Sequence, residues 1–172
     1  MKHLLPLLPI GLFAWFCASA MDAPAAAPDT VTDAPSWSHG YYADTFVSLS
    51  TPDFSHQNEF GYGLGVGYAF NRNFAADVRV THAGLNLENN AVSTVGARLV
   101  SRLPFDFLSP YGFVGAAFDL GPDQWRLRPG VGAEIGMTKI MRGMSLIGEA
   151  GLDADLKGHS GFLLSTGLRW RF

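Results

Sequence analysis

Three histidines, His56, His82 and His159, stand near hydroxyls and carboxylates able to do acid–base chemistry: Ser55, Ser160, Glu88 and Asp155. A serine activated by a histidine, with a carboxylate orienting the ring, is the arrangement that hydrolyses acyl esters. These residues are spread over connections that are not adjacent in sequence, so the plain reading is a solvated rim. A second set has a firmer pattern. Asp44, Asp77, Arg79, Arg98, Asp119, Arg128, Glu134, Glu149, Asp153, Arg169 and Arg171 all fall in runs where apolar residues alternate with polar or small ones. Isolated charges in a confined space cost several kcal/mol each, so six acids beside five bases point to mutual pairing. The sharper alternative is a proton or ion path through the same groups. The chain carries no phosphate-binding loop, no paired metal-binding His motif and no nucleophile elbow. Gly63-Leu64-Gly65-Val66-Gly67 lies inside an alternating run and opens no helix, so it is not a nucleotide fingerprint. No catalytic residue, cofactor or metal is assigned.

Alternation of this kind is the mark of strands, because side chains on a strand switch face at every residue. Eight candidate strands follow one another: Tyr41–Ser50, Glu59–Phe70, Phe74–His82, Val92–Arg102, Pro110–Leu120, Leu127–Thr138, Met144–Asp155 and Phe162–Phe172. Each has the length needed to cross a membrane at a tilt. Four glycines within Gly61–Gly67 would tolerate no stable helix. On the second strand Phe60, Tyr62, Leu64, Val66, Tyr68 and Phe70 share one face, and the glycines share the other. The sixth strand sets Leu127, Val131 and Ile135 against Arg128 and Glu134; the seventh sets Met144, Leu146 and Leu152 against Glu149 and Asp153. A soluble barrel hides the apolar face, whereas a membrane barrel turns it to lipid. Tyr41, Phe60, Tyr68, Phe70, Phe74, Trp170 and Phe172 cluster near strand ends, as interfacial girdles do, and this favours the membrane. The inward glycines then relieve crowding in a narrow barrel; an internal cavity for an acyl chain is the alternative.

Residues 1–20 read as a secretory signal peptide: Lys2, an apolar stretch from Leu4 to Phe16, and the small residues Ala18-Ser19-Ala20 before the cut. Residues 21–38, rich in Ala and Pro, read as a flexible periplasmic tail, and residues 39–172 as the barrel. Cys17 is the only cysteine, so cleavage leaves no thiol for a disulfide or metal site. The net charge of −3 argues against nucleic acid as a partner.

The connections Asn71-Arg72-Asn73 and Ile140–Gly143 are short, with Leu103–Ser109 the longer exception on that side. Thr51–Asn58, Ala83–Ala91, Gly121–Arg126 and Leu156–Gly161 are mostly longer and more polar. Short turns belong on the periplasmic side, which predicts that both mature termini are periplasmic.

The chain ends on Leu168-Arg169-Trp170-Arg171-Phe172, with Leu168, Trp170 and Phe172 on one face. This terminal aromatic strand, the strand number and the Gly-plus-aromatic texture resemble the small eight-stranded outer-membrane barrels of the OmpA, OmpX and OmpW kind. The resemblance implies an all-β, antiparallel, up-and-down transmembrane barrel in the outer membrane of a Gram-negative bacterium. It also implies contact with outer-membrane lipid and lipopolysaccharide, insertion by the barrel assembly machinery through Leu168, Trp170 and Phe172, and a monomeric state. The function expected is non-enzymatic: envelope structure or surface interaction, with a polar, plugged lumen. A narrow channel for small solutes and a lipid-modifying enzyme are the alternatives.

Overall fold

A computed structural model describes residues 39–51, 59–83, 92–105, 107–121, 123–137, 143–155 and 157–172. The signal peptide and tail expected at residues 1–38 lie outside the described residues, as do Ser55, His56 and Glu88. The described residues form strands β1 (Gly40–Thr51), β2 (Glu59–Ala69), β3 (Phe74–Ala83), β4 (Val92–Arg102), β5 (Leu108–Asp119), β6 (Gln124–Gly136), β7 (Met144–Asp155) and β8 (Ser160–Arg171). Each strand pairs antiparallel with the next, and β1 pairs with β8, closing the ring. Closure leaves no unpaired sheet edge, which lipid would not tolerate.

Partners followed around the ring from Gly40 run through Ala69, Ala75, Val100, Phe113, Gly130, Gly151 and Leu163, and return to β1 at Ser50. The stagger is thus ten residues, from Gly40 to Ser50. Eight strands with this stagger tilt by roughly 40° and enclose a space about wide enough for side chains alone.

The two faces are sorted inside out relative to a soluble domain. Leu64 and Val66 are 63% and 64% exposed on the outer wall, whereas Asp44, Glu134 and Arg169 are at most 1% exposed inside. Ten charged side chains are buried among the described residues while large apolar ones cover the exterior. Water would expel such an exterior, and a bilayer accepts it. Aromatics frame the apolar wall at both ends. Tyr41 meets Tyr68 with ring centroids 4.9 Å apart, and Tyr68 meets Phe70 at 5.6 Å, at the end of the barrel where Phe172 lies. Phe118 and Trp125, 5.1 Å apart, sit at the far end. Along β2, Phe60 and Tyr68 are eight residues apart, or about 20 Å along the axis at this tilt, close to the apolar thickness of such barrels.

The expected boundary that moves furthest is the start of the sixth strand. Gly121–Arg126 was expected to be a connection, but β6 begins at Gln124, because Phe118, Ala117 and Asp119 pair with Trp125, Arg126 and Gln124. The tight turn is closed by Asp123 in the left-handed region, at φ 49°, a conformation Asp reaches more readily than most residues. The expected turn at Asn71-Arg72-Asn73 is held by the Asn71 carboxamide oxygen, which accepts from the backbone N–H groups of Asn73 and Phe74 at 2.8 and 2.9 Å.

Candidate functional site

The inward-facing residues fill the lumen in layers, and the innermost packing device is a glycine beneath an aromatic ring. Tyr42 stands opposite Gly67, Phe46 opposite Gly63, Tyr111 opposite Gly132 and Phe113 opposite Gly130. A Cβ at Gly63 would lie 2.3 Å from the Phe46 ring, and one at Gly67 2.3 Å from the Tyr42 ring. Each ring therefore lies flat over its neighbour's missing side chain, which lets large side chains share a narrow bore. The space above these glycines is occupied by rings, not by an open acyl-chain cavity.

Guanidiniums stack on the rings. Arg79 lies 4.6 Å from the centre of the Phe46 ring, Arg98 4.6 Å from Phe113 and Arg169 4.2 Å from Tyr42. Stacking spends one face of the guanidinium on the ring and leaves its N–H edge for carboxylates.

Those edges build a single chain of ion pairs. Arg169 on β8 grips Asp44 of the adjacent β1 in a fork, at 2.7 and 2.9 Å, and also donates to Glu134 at 2.9 Å. Arg171 donates to the other oxygen of Glu134 at 2.5 Å. Arg79 on β3 donates to Asp44 at 2.8 Å and reaches Glu149 on β7, four strands around the ring, at 2.6 and 3.0 Å. Arg98 forks onto Asp77 at 2.8 and 2.7 Å and donates to Glu149 at 3.0 Å. The Tyr42 hydroxyl donates to Asp77 at 3.1 Å, and the Tyr111 and Ser165 hydroxyls donate to Glu149 at 2.7 and 3.0 Å. Glu149 is the hub, because it ties β3, β4, β5 and β8 to β7. Four carboxylates and four guanidiniums are thus neutralised in one cross-braced layer that spans the bore.

A second cluster lies nearer the far end. Arg126 pairs with Asp119 at 2.5 Å and with Asp153 at 3.5 Å, Arg128 donates to Asp153 at 3.1 Å, and Thr94 donates to Asp119 at 2.7 Å. At the rim, His159 and Gln124 both hydrogen-bond Asp155, the His159 ring at 2.9 Å.

The structure places all eleven charged residues singled out by alternation on the lumen side, and brings them into these two clusters. Sequence reasoning missed Arg126, Arg102 and the two phenols. Arg126 continues the alternation of Arg128 by one step and Tyr42 that of Asp44 by one step, while Arg102 lies two steps beyond Arg98. Of the residues considered for hydrolysis, Ser55, His56 and Glu88 lie outside the described residues, and among the described ones His82 and His159 stand apart. His82 bonds Ser93 of the adjacent β4 at 3.0 Å on the outer wall, beside Tyr62, while His159 is held by Asp155 on its own hairpin. Leu168, Trp170 and Phe172 sit at the closing end of β8, where the Phe172 N–H donates to the Tyr41 carbonyl at 3.1 Å.

A closed transmembrane barrel with a charged, occupied bore defines the class. The sequence profile of the outer membrane protein β-barrel domain matches residues 13–172, and this chain belongs to that family. It is accordingly an outer-membrane protein of the Gram-negative type. Its fold is similar to the N-terminal barrel of Pseudomonas aeruginosa OprF (13% identity, TM-score 0.53, covering 75% of this chain and 97% of that one). Neisserial surface protein A is comparable (15% identity, TM-score 0.53, 78% and 97% covered). So is Ail, the attachment invasion locus protein of Yersinia pestis, solved with the heparin analogue sucrose octasulfate (15% identity, TM-score 0.52, 78% and 97% covered). At such identities the likeness is one of fold. No curated protein matches the sequence.

Proposed function

We propose that this protein is a non-enzymatic outer-membrane barrel whose sealed wall serves envelope integrity and whose far end serves surface interaction. The supporting observation is the cross-braced layer: Arg79 spans the bore from β3 to Glu149 on β7, and every ion pair of the layer uses side chains that a conducting pore would leave in water. In a bore this narrow a paired, ring-stacked layer leaves no continuous water path. Two proteins of similar fold, a surface protein and an attachment protein by name, agree with a surface role. We infer that Gly40 and Phe172 face the periplasm, because the longest connection, between β3 and β4, lies at the other end.

The test is conductance. Purified protein in planar bilayers gives no steady current near neutral pH. Regular ion-selective steps that change with Arg98→Ala or Glu134→Ala would replace the plugged barrel with the channel.

A further inference from the structure

The outer wall carries a groove of about 740 Å³ that crosses β1 to β5, a volume typical of a ligand site. Its floor is low because the outward positions there are small: Ala43 on β1, Ala76 on β3, Ala97 on β4 and Ala116 on β5. Val66, Val78 and Leu99 are exposed and stand up as its sides, and Tyr41, Tyr68 and Phe172 frame its lower end.

The register gives this groove a direction. Tyr41, Tyr68, Ala76, Leu99 and Val114 are successive partners from β1 to β5, so they lie on one line perpendicular to the strands. Ala43, Val66, Val78, Ala97 and Ala116 form the next line above it. Four strand spacings of about 4.8 Å make each line about 19 Å long. At a tilt of roughly 40° it climbs about 12 Å on the way. The groove thus starts at the aromatic girdle and ends near the middle of the apolar band, which is about 25 Å tall. It spans the depth of one leaflet.

That path selects the occupant. In a symmetric pair a second copy would bring the same groove to face this one, hollow against hollow, and leave a void. A rigid partner touches a convex wall along a straight line, whereas this floor winds around it. A hydrocarbon chain bends to follow the floor, carries no polar group to satisfy, and is already the solvent of this wall. Its ester end stays at the interface, where the Tyr41 and Tyr68 rings pack edge to face.

We propose that this groove retains one phospholipid, its acyl chain on the alanine floor and its glycerol ester level with Tyr41 and Tyr68. The lipid comes from the leaflet at the Phe172 end. The site rests on the lipid-facing wall and not on the plugged lumen, so its failure leaves that reading untouched. An ordinary boundary lipid is lost with the bilayer, whereas this one stays with the barrel.

The experiment folds the barrel into vesicles of palmitoyl-oleoyl phosphatidylethanolamine and phosphatidylglycerol, extracts it into a mild detergent and weighs it by native mass spectrometry. The wild type keeps one phospholipid per barrel. Ala97→Phe and Ala116→Phe fill the floor and lower the retained fraction at least about tenfold. Ala150→Phe, exposed on the outer wall of β7 away from the groove, leaves retention unchanged. All three turn an apolar ring to lipid; heat-modifiable migration verifies folding, and either floor variant carries the test alone. A wild type that carries no lipid, or retention indifferent to both floor variants, would overturn the proposal. So would equal loss in Ala150→Phe, preference for lipopolysaccharide from vesicles that hold both lipids, or a two-barrel species that Ala97→Phe separates, which would put a second copy in the groove.

Discussion

Replacing Glu149 by Gln separates a dry structural plug from a wet channel by the size of its effect. Glu149 accepts five hydrogen bonds: two from Arg79, one from Arg98, one from Tyr111 and one from Ser165. The amide keeps the shape but removes the charge and turns an N–H₂ toward guanidiniums that themselves only donate. Three carboxylates then face four guanidiniums, and Arg79 and Arg98 are left to share Asp44 and Asp77. Removing one partner of a buried pair costs about 3–5 kcal/mol, since the remaining charge stays buried. The same pair in a water-filled bore is worth about 0–1 kcal/mol.

The assay is urea unfolding of barrel folded into lipid vesicles, followed by tryptophan fluorescence. With a slope of about 2 kcal/mol per molar urea, the dry plug predicts a midpoint lowered by roughly 1.5–2.5 M. Adding Arg79→Gln to Glu149→Gln should restore part of this loss, because charge balance returns and the two positions are directly coupled. A loss under about 1 kcal/mol, with no recovery in the double variant, would refute the plugged lumen.

Gly67→Val should displace the Tyr42 ring from its seat and cost about 1–3 kcal/mol of barrel stability, whereas Gly148→Ala, on the open outer wall, should be close to neutral; one urea series measures both. Orientation is checked by Lys157→Cys and Arg72→Cys in intact cells with a membrane-impermeant maleimide. Labelling at Lys157→Cys alone is expected, and the reverse pattern would invert the barrel. Replacing both Trp170 and Phe172 by Ser should hold the protein in the periplasm; normal heat-modifiable, membrane-embedded protein would remove these residues from any role in assembly.

The face of each residue was legible in the sequence and its height was not, and this divides what could be inferred. Parity repeats every two residues, so Asp44, Arg98 and Glu149 declare the same face wherever their strands begin. Which of them meet depends on the ten-residue stagger, which is set by turn geometry at hairpins such as Asp119–Gln124. That stagger carries Arg79 level with Glu149 from the opposite wall and leaves Asp153 to Arg128. The glycines had the same limit. Their alternation with aromatics in β2 is visible in the chain, but the rings that cover them, Tyr42 and Phe46, come from β1. Small residues inside a barrel therefore signal either a cavity or a ring supplied by the neighbouring strand. Only the register decides between them, and here it places Phe46 opposite Gly63 and Phe113 opposite Gly130, so the middle of the bore closes and any open space within it is confined to the mouth above.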